Sequence, residues 1–428
     1  METNTDNRIN KRIPSKITIT VLAIILTIVA FVGGYFSHYL FNGETVNTTI
    51  DVLRMIDKVG YVYDEKTGQL KKLSGEQVAD ILVYSLLDEY SAYYSEKDYE
   101  EISAKNSGNY SGLGVVFYNA DCIIDKVVGN SPCDKAGIVM GDKIVSGEYG
   151  GQTSEFEDYY DMRDFFDLIT DQSDIILNIE RGASILSFTV SKANYKVSYI
   201  KYYDCEKHLY FETSENENLS PNVYAGGMAE LDDKTAYISF SAFEGGAANQ
   251  LIKALDYMKE RNRTKLILDL RGNGGGSMDV LSEVAGCLIY ANGKNEFLMT
   301  TVKGKNTTEE YYSGKNRFNT NIQSIAVLAN ENSASASECL IGAMSHYGGV
   351  FSLDKLVLEK NSEGVAKTYG KGIMQTTYKL ISGGYLKLTT ARVYWPDGQT
   401  CIHGKGITVK TENQVDSASV ITRAMQVL

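Results

Sequence analysis

The spacing of apolar positions changes from segment to segment along this chain. Residues 17 to 36, "ITITVLAIILTIVAFVGGYF", carry no charge. At about 1.5 Å rise per residue such a run crosses roughly 30 Å of hydrocarbon, so it predicts one membrane-spanning helix within an anchor at 17–41. Residues 45–107 then place apolar side chains three and four apart in two stretches, which predicts a small helical region with Ser74 as N-cap of the second helix. From Gly108 the pattern turns to short strands and glycine turns. Five strands, a tiny helix at "SPCDKAG" and a longer amphipathic helix around Asp158 to Ile169 predict a compact β-rich unit at 108–195. Met162, Phe165, Phe166 and Ile169 share one face of that helix, as core residues or as the lining of a groove. Beyond it, "TAYISFSAF", "AANQLIKALDYMKE", "KLILDL", "SIAVLAN" and "ECLIGAMSHY" alternate strand with helix. They predict an α/β sheet covered by helices over 196–428, ending in a helix at "SASVITRAMQVL".

Composition narrows the picture. A chain of 428 residues with 43% hydrophobic content can form several cores, so two or three domains are expected. A formal charge of −12 excludes a general nucleic-acid binder, whose affinity would come from lysines and arginines on phosphates. Arg8, Lys11, Arg12 and Lys16 precede the apolar run, which keeps residues 1–16 in the cytoplasm and sends the globular part outside. A cleaved signal peptide is the alternative. It fits less well, because the run exceeds the usual span of roughly 7–15 residues and lacks an A-x-A site. Six scattered cysteines with no C-x-x-C pair argue against a zinc site or a redox motif. They read as buried free thiols, some of which an exported chain could pair. No metal or organic cofactor is implied.

The chemistry gathers where two apolar strands end in small-residue turns that run straight into helices: "KLILDLRGNGGGSMDVL" and "SIAVLANENSASASECLIGAM". Such turns expose backbone N–H groups and the positive end of a helix dipole, and two of them face to face would form an oxyanion hole. The glycine cluster is a poor Rossmann loop. Ser277 stands where the third glycine should fall, and no acidic residue ends a strand about 20 positions on. No G-K-[ST] closes it as a Walker loop. Ser333, Ser335 and Ser337 enter the second helix with no histidine near enough to activate them, since His346 lies about three helical turns beyond Ser335. Lys371, between two glycines in "KTYGKGIMQTTYKL", is a candidate base. If that segment is extended, Gln375 points to the same side and its amide could orient the amine. Burial disfavours the charged form of a lysine and would let it accept a proton.

Two resemblances follow from these motifs. "SGLGV", residues 111–115, followed by "SPCDKAGIVMGDKI", resembles a PDZ domain. In that family the backbone of Gly112, Leu113, Gly114 and Val115 would receive a peptide's terminal carboxylate, and the next strand edge would take the peptide as an added strand. "LILDLRGNGGG", "ENSASASE" and "KTYGKGIMQ", in this order after the PDZ-like unit, resemble the carboxyl-terminal processing proteases, serine peptidases with a serine/lysine dyad. The likeness runs from about Thr45 to Ile407, "LLDEYSAYY" and "HGKGI" included. It implies Ser335 as nucleophile, Lys371 as general base, Gln375 as its assistant and the N–H groups of Ala336 and Gly276 as oxyanion donors, with Gly275 as the alternative to Gly276. Two features depart from the family. Gly274 replaces its usual proline, and Ser335 and Lys371 lie 36 positions apart, a longer interval in which "DKLVLEKNSEGV" reads as an inserted surface loop.

The expected protein is a membrane-anchored extracytoplasmic endopeptidase acting on proteins with exposed C-terminal tails. The rivals are a tethered PDZ binding protein with a silent α/β domain, and a hydrolase of esters or cell-wall lactams. Homo-oligomerisation through the N-terminal helices and the C-terminal segment is implied by the resemblance alone.

Overall fold

The computed structural model describes residues 48, 52–55, 74–117, 121–169, 172–204, 208–211, 217–219 and 231–428. The expected cytoplasmic segment at 1–16 and the membrane helix at 17–36 lie outside these residues. Among the described residues no helix is long and apolar enough to cross a membrane. Residues 83–428 form one compact unit.

Helix α1 (Gly75–Leu86) starts where Ser74 predicts, with a reciprocal cap: the Gln77 N–H donates to Ser74 Oγ (3.1 Å) and the Ser74 N–H donates to Gln77 Oε1 (3.2 Å). The helical reading of the next stretch fails in part. Ala92–Tyr94 is a strand, β1, paired antiparallel with residues 385–387. Two tyrosines on an open sheet edge favour the pleated surface over the helix that their spacing suggests. Helix α2 (Glu96–Asn106) follows, capped by Ser95, and its Tyr99 stacks on Tyr385 with ring centroids 3.7 Å apart.

The β-rich unit holds β2 (Asn109–Gly112), β3 (Val115–Val116), β4 (Lys126–Val127), α3 (Pro132–Ala136), β5 (Lys143–Tyr149), β6 (Gln152–Glu155), α4 (Tyr159–Asp167), β7 (Asp174–Arg181), β8 (Ser184–Ser191) and β9 (Ala193–Lys196). Eight strands stand where five were expected. Gly150 and Gly151, both at positive φ, reverse the chain in two residues between β5 and β6, and Gly182 does the same before β8, so single apolar runs become hairpins. The strands form a sheet in the order β6-β5-β7-β8 and two pairs, β2-β9 and β3-β4. Met162, Phe165 and Ile169 of the α4 region sit in this unit's own core with Ile144, Ile175 and Leu177, and Phe166 packs against it. Of the two readings of that helix face, core wins.

The α/β part contains β10 (Ile200–Tyr203), β11 (His208–Phe211), β12 (Glu217–Leu219), β13 (Thr235–Phe240), α5 (Ala247–Glu260), β14 (Lys265–Asp269), α6 (Met278–Leu288), β15 (Leu298–Gly304), β16 (Thr308–Tyr312), β17 (Ser324–Ala329), α7 (Ala336–Tyr347), β18 (Leu356–Glu359), β19 (Ile373–Lys379), β20 (Tyr385–Tyr394), β21 (Gln414–Val415) and α8 (Val420–Val427). Its main sheet runs β12-β11-β10-β13-β14-β17-β18-β21 and is parallel from β13 to β21. Alternate side chains serve two layers. Ile238, Leu268, Val327 and Leu358 pack with α5, α6 and α7, whereas Tyr237, Ile267, Leu328 and Val357 pack with α8. Strands covered on both faces read as unbroken apolar runs, as "KLILDL" and "SIAVLA" do.

The same logic corrects the inserted-loop reading of "DKLVLEKNSEGV". Leu356, Val357 and Leu358 are fully buried in β18, a strand of the main sheet. Only the turn around Asn361–Val365 is exposed loop. A second, antiparallel sheet, β1-β20-β15-β16 with β19 beside β20, carries the segment that contains Lys371 and Gln375.

Candidate active site

β14 and β17 are parallel neighbours, so their C-terminal ends deliver both small-residue turns to one edge of the sheet. The turns are stitched together. The Ala334 N–H donates to Asn273 O (3.0 Å), the Ser333 hydroxyl to Leu270 O (2.8 Å) and the Ser337 hydroxyl to Asn273 O (2.9 Å). Ser333 and Ser337 are buried and occupied by these bonds. Ser335 stands between them at φ 56° and ψ −113°, directly before α7. A non-glycine residue in so sparsely populated a region costs about 1–3 kcal/mol, held by its surroundings.

Gly275 lets the turns meet. A Cβ there would lie 2.8 Å from Ala334 O, from Ala336 N and from Ser335 Cβ, and its φ is +99°. The Gly275 N–H donates to Asn273 Oδ1 (2.9 Å). Among the described residues no hydrogen bond engages the N–H of Gly276 or of Ala336. Gly276 is held instead through its neighbours, since Phe243 N–H donates to Gly275 O (2.9 Å) and Ser277 N–H to Phe243 O (2.8 Å).

Beneath the first turn is a buried ionic support. Arg271 donates through Nε and Nη2 to Asp269 and through Nη1 to Glu359 Oε2 (2.7 Å), and Tyr237 OH donates to Asp269 Oδ2, the oxygen that also accepts from Arg271 Nη2. Burial pushes the Arg271 guanidinium down, but Asp269 and Glu359 outweigh it and hold it above the ordinary arginine value. This network fixes the strand end from which the glycine turn springs.

One buried carboxylate joins the serine turn to the lysine segment. Glu338 Oε2 accepts from the N–H of Ser335 (3.0 Å) and of Lys371 (2.9 Å); its Oε1 accepts from Gly370 N–H (2.8 Å) and Thr368 Oγ1 (2.5 Å). Tyr369 N–H adds a bond to Ser333 O (3.0 Å). Burial raises the Glu338 carboxyl above its usual value while those four donors oppose the rise. Sequence reading missed Glu338, although S-x-x-E before an apolar helix is a capping-box signal.

The Lys371 amine is depressed below the ordinary lysine value, first by burial and then by the Lys387 cation, with Asp88 acting the other way. Its Nζ lies 5.0 Å from the centroid of the Tyr90 ring. Among the described residues no hydrogen bond joins it to Ser335 Oγ or to Gln375. The Gln375 amide donates to Thr389 Oγ1 (3.1 Å), and a bulge between Met374 and Gln375 breaks the alternation that an unbroken strand would have given the pair. The structure thus joins the Ser335 and Lys371 backbones and leaves Gln375 apart from the amine. His346 sits against Tyr347 at the far end of α7, with ring centroids 4.9 Å apart. Among the described residues no group of three acidic, histidine or cysteine side chains is arranged to hold a metal.

In the β-rich unit Gly112 and Gly114 have φ of +123° and +85°, and Leu113 is buried in the core. A Cβ on Gly114 would lie 2.1 Å from Ser131 Cβ. Val115 opens β3, which among the described residues pairs only with β4. Phe117, just past β3, meets Tyr159 of α4 with ring centroids 5.9 Å apart.

Comparison with known proteins gives a serine-type peptidase, and Ser335, at a strained strand-to-helix turn beside N–H groups that no hydrogen bond engages among the described residues, is the candidate nucleophile. Residues 234–412 match the model of peptidase family S41. A Staphylococcus aureus (strain bovine RF122 / ET3-1) protein named "Probable CtpA-like serine protease" is 25% identical over 416 residues, 95% of this chain and 74% of its own. A Staphylococcus haemolyticus (strain JCSC1435) protein of the same name is 25% identical, over 96% of this chain and 76% of its own. The crystal structure of a Bacteroides fragilis NCTC 9343 protein described as an S41 protease shares the fold. Its TM-score is 0.51 at 15% identity, over 86% of this chain and 90% of that one.

Proposed function

We propose that this peptidase cuts protein substrates with a Ser335/Lys371 dyad, outside the cytoplasm and tethered by a membrane helix at 17–36. Ser335 Oγ attacks the scissile carbonyl while neutral Lys371 takes its proton. The N–H groups of Gly276 and Ala336 receive the oxyanion. Lys371 returns the proton to the leaving amine, and water hydrolyses the acyl-enzyme. Gln375 steadies the amine once it has turned toward the serine. The shared Glu338 carboxylate carries this reading, because it ties the backbones of nucleophile and base to one oxygen. The unit at 108–195 acts as a PDZ domain that takes C-terminal tails. The positive-φ turn at Gly112 and Gly114, with β3 beside α4, supports that role.

The test is cleavage of an unstructured protein by the full chain and two variants. Ser335→Ala abolishes cleavage, and Lys371→Ala lowers kcat/KM by roughly 10²–10⁴-fold. Unchanged cleavage by either variant rejects the dyad. Binding of C-terminal peptides without cleavage by the wild type would favour the tethered binding protein instead.

A further inference from the structure

The segment that precedes the β-rich unit reaches into the active site. Asp88 Oδ1 accepts from the N–H of Tyr90 (3.2 Å), the N–H of Ser91 (3.0 Å) and the Ser91 hydroxyl (2.8 Å), which forms a tight turn. Ser91 Oγ in turn accepts from Thr389 N–H (3.2 Å), and β1 pairs with β20 from the next residue on. Tyr90 is therefore fixed on the sheet whose strand β19 begins two residues after Lys371. Its hydroxyl shares a hydrogen bond with that of Tyr369 (3.0 Å), two residues before the lysine, and its ring face lies 5.0 Å from Lys371 Nζ.

We infer that Tyr90 is a positioning residue for Lys371, whose ring docks the ammonium form of the amine and releases it when the base is needed at Ser335. The ring face of tyrosine is electron-rich and attracts a cation above it. Burial and the Tyr369 hydroxyl push the Tyr90 phenol up, so the ring stays a neutral phenol at any working pH. The other groups facing the amine are Asp88 on the Tyr90 segment and Lys387 on β20. Glu338 of α7 is occupied by the Lys371 backbone rather than by its amine. The ring attraction therefore acts with Asp88, and against burial and Lys387, to favour the charged form. A parked, protonated lysine explains why no hydrogen bond joins the two dyad side chains in this arrangement. The inference rests on Lys371 being the general base.

The test is titration of the Lys371 side chain by NMR in the ε-¹³C-lysine-labelled full chain, the signal assigned with Lys371→Arg. Tyr90→Leu keeps an apolar cover of similar bulk but removes the electron-rich face. It should lower the midpoint by about half a pH unit and move the acid limb of kcat/KM down with it. Tyr90→Phe should leave both unmoved, and Tyr90→Trp should raise the midpoint. No shift in Tyr90→Leu, a rise in it, or an equal shift in Tyr90→Phe overturns the inference. Should Tyr90→Leu fail to fold, the Phe and Trp arms decide alone: a midpoint moved by Phe, or not raised by Trp, overturns it. If Lys371→Ala keeps full activity, the dyad falls instead, while the titration still reports on the ring contact.

Discussion

At Ser335 a hydroxyl is held in a backbone conformation that other residues must enforce, and Glu338 does most of the enforcing. Its carboxylate satisfies four donors from two segments, the serine turn and residues 368–371. Glu338→Gln turns an NH₂ group toward some of those donors, so kcat should fall by about 10²-fold with little change in KM. Glu338→Ala leaves buried donors without an acceptor and should cost about 3 kcal/mol of stability or more, read from urea midpoints. The pH profile has a definite sign. Because burial and Lys387 lower the Lys371 pKa, the neutral base appears at a lower pH than a free lysine allows. Activity should rise with pH through a midpoint below the ordinary lysine range of about 10.4, and a limb at or above that value contradicts the assignment. Ser335 and Lys371 were legible as a candidate pair because a serine turn without a histidine needs another base. Tyr90 was not, since 281 positions separate it from the lysine and only the fold brings them together.

The turns after β14 and β17 work as one element because they touch through glycine. Gly275→Ala places a methyl group 2.8 Å from three atoms of the serine turn, at a φ of +99° that alanine resists. The expected result is at least a 10²-fold loss in kcat with the main sheet intact, checked by near-native circular dichroism; wild-type kcat would show that the fit is loose. Sequence periodicity found these two strand-turn-helix units, because each strand is buried on both faces and each turn is spelled in small residues. It misread β1 and β18. Three residues of tyrosine-rich strand look like helix when their partner is almost 300 positions away, and β18 is hidden by charged neighbours on both sides. Val357→Asp, which buries a carboxylate beside α8, should therefore abolish folding, whereas a glycine-serine insertion after Glu363 should be silent in both stability and activity.

Among the described residues, one hydrophobic core lies within the β-rich unit, and the main core of the α/β part also takes in Val128 and Tyr195 from that unit. In the sequence, short strands with glycine turns give way to strand-helix alternation near Tyr195, which is the reason a boundary was expected there. Sequence spacing could not tell whether the α4 face lines a groove, because core and groove ask for the same apolar residues. The proposed cleavage rests on one serine made nucleophilic by one lysine. It is tested most directly by acid-quenching the enzyme during turnover of an activated peptide ester and mapping the acylated residue by mass spectrometry. An acyl group is expected on Ser335 in the wild type and far less in Lys371→Ala; an acyl group on another residue, or undiminished acylation of Ser335 without the lysine, would refute the dyad.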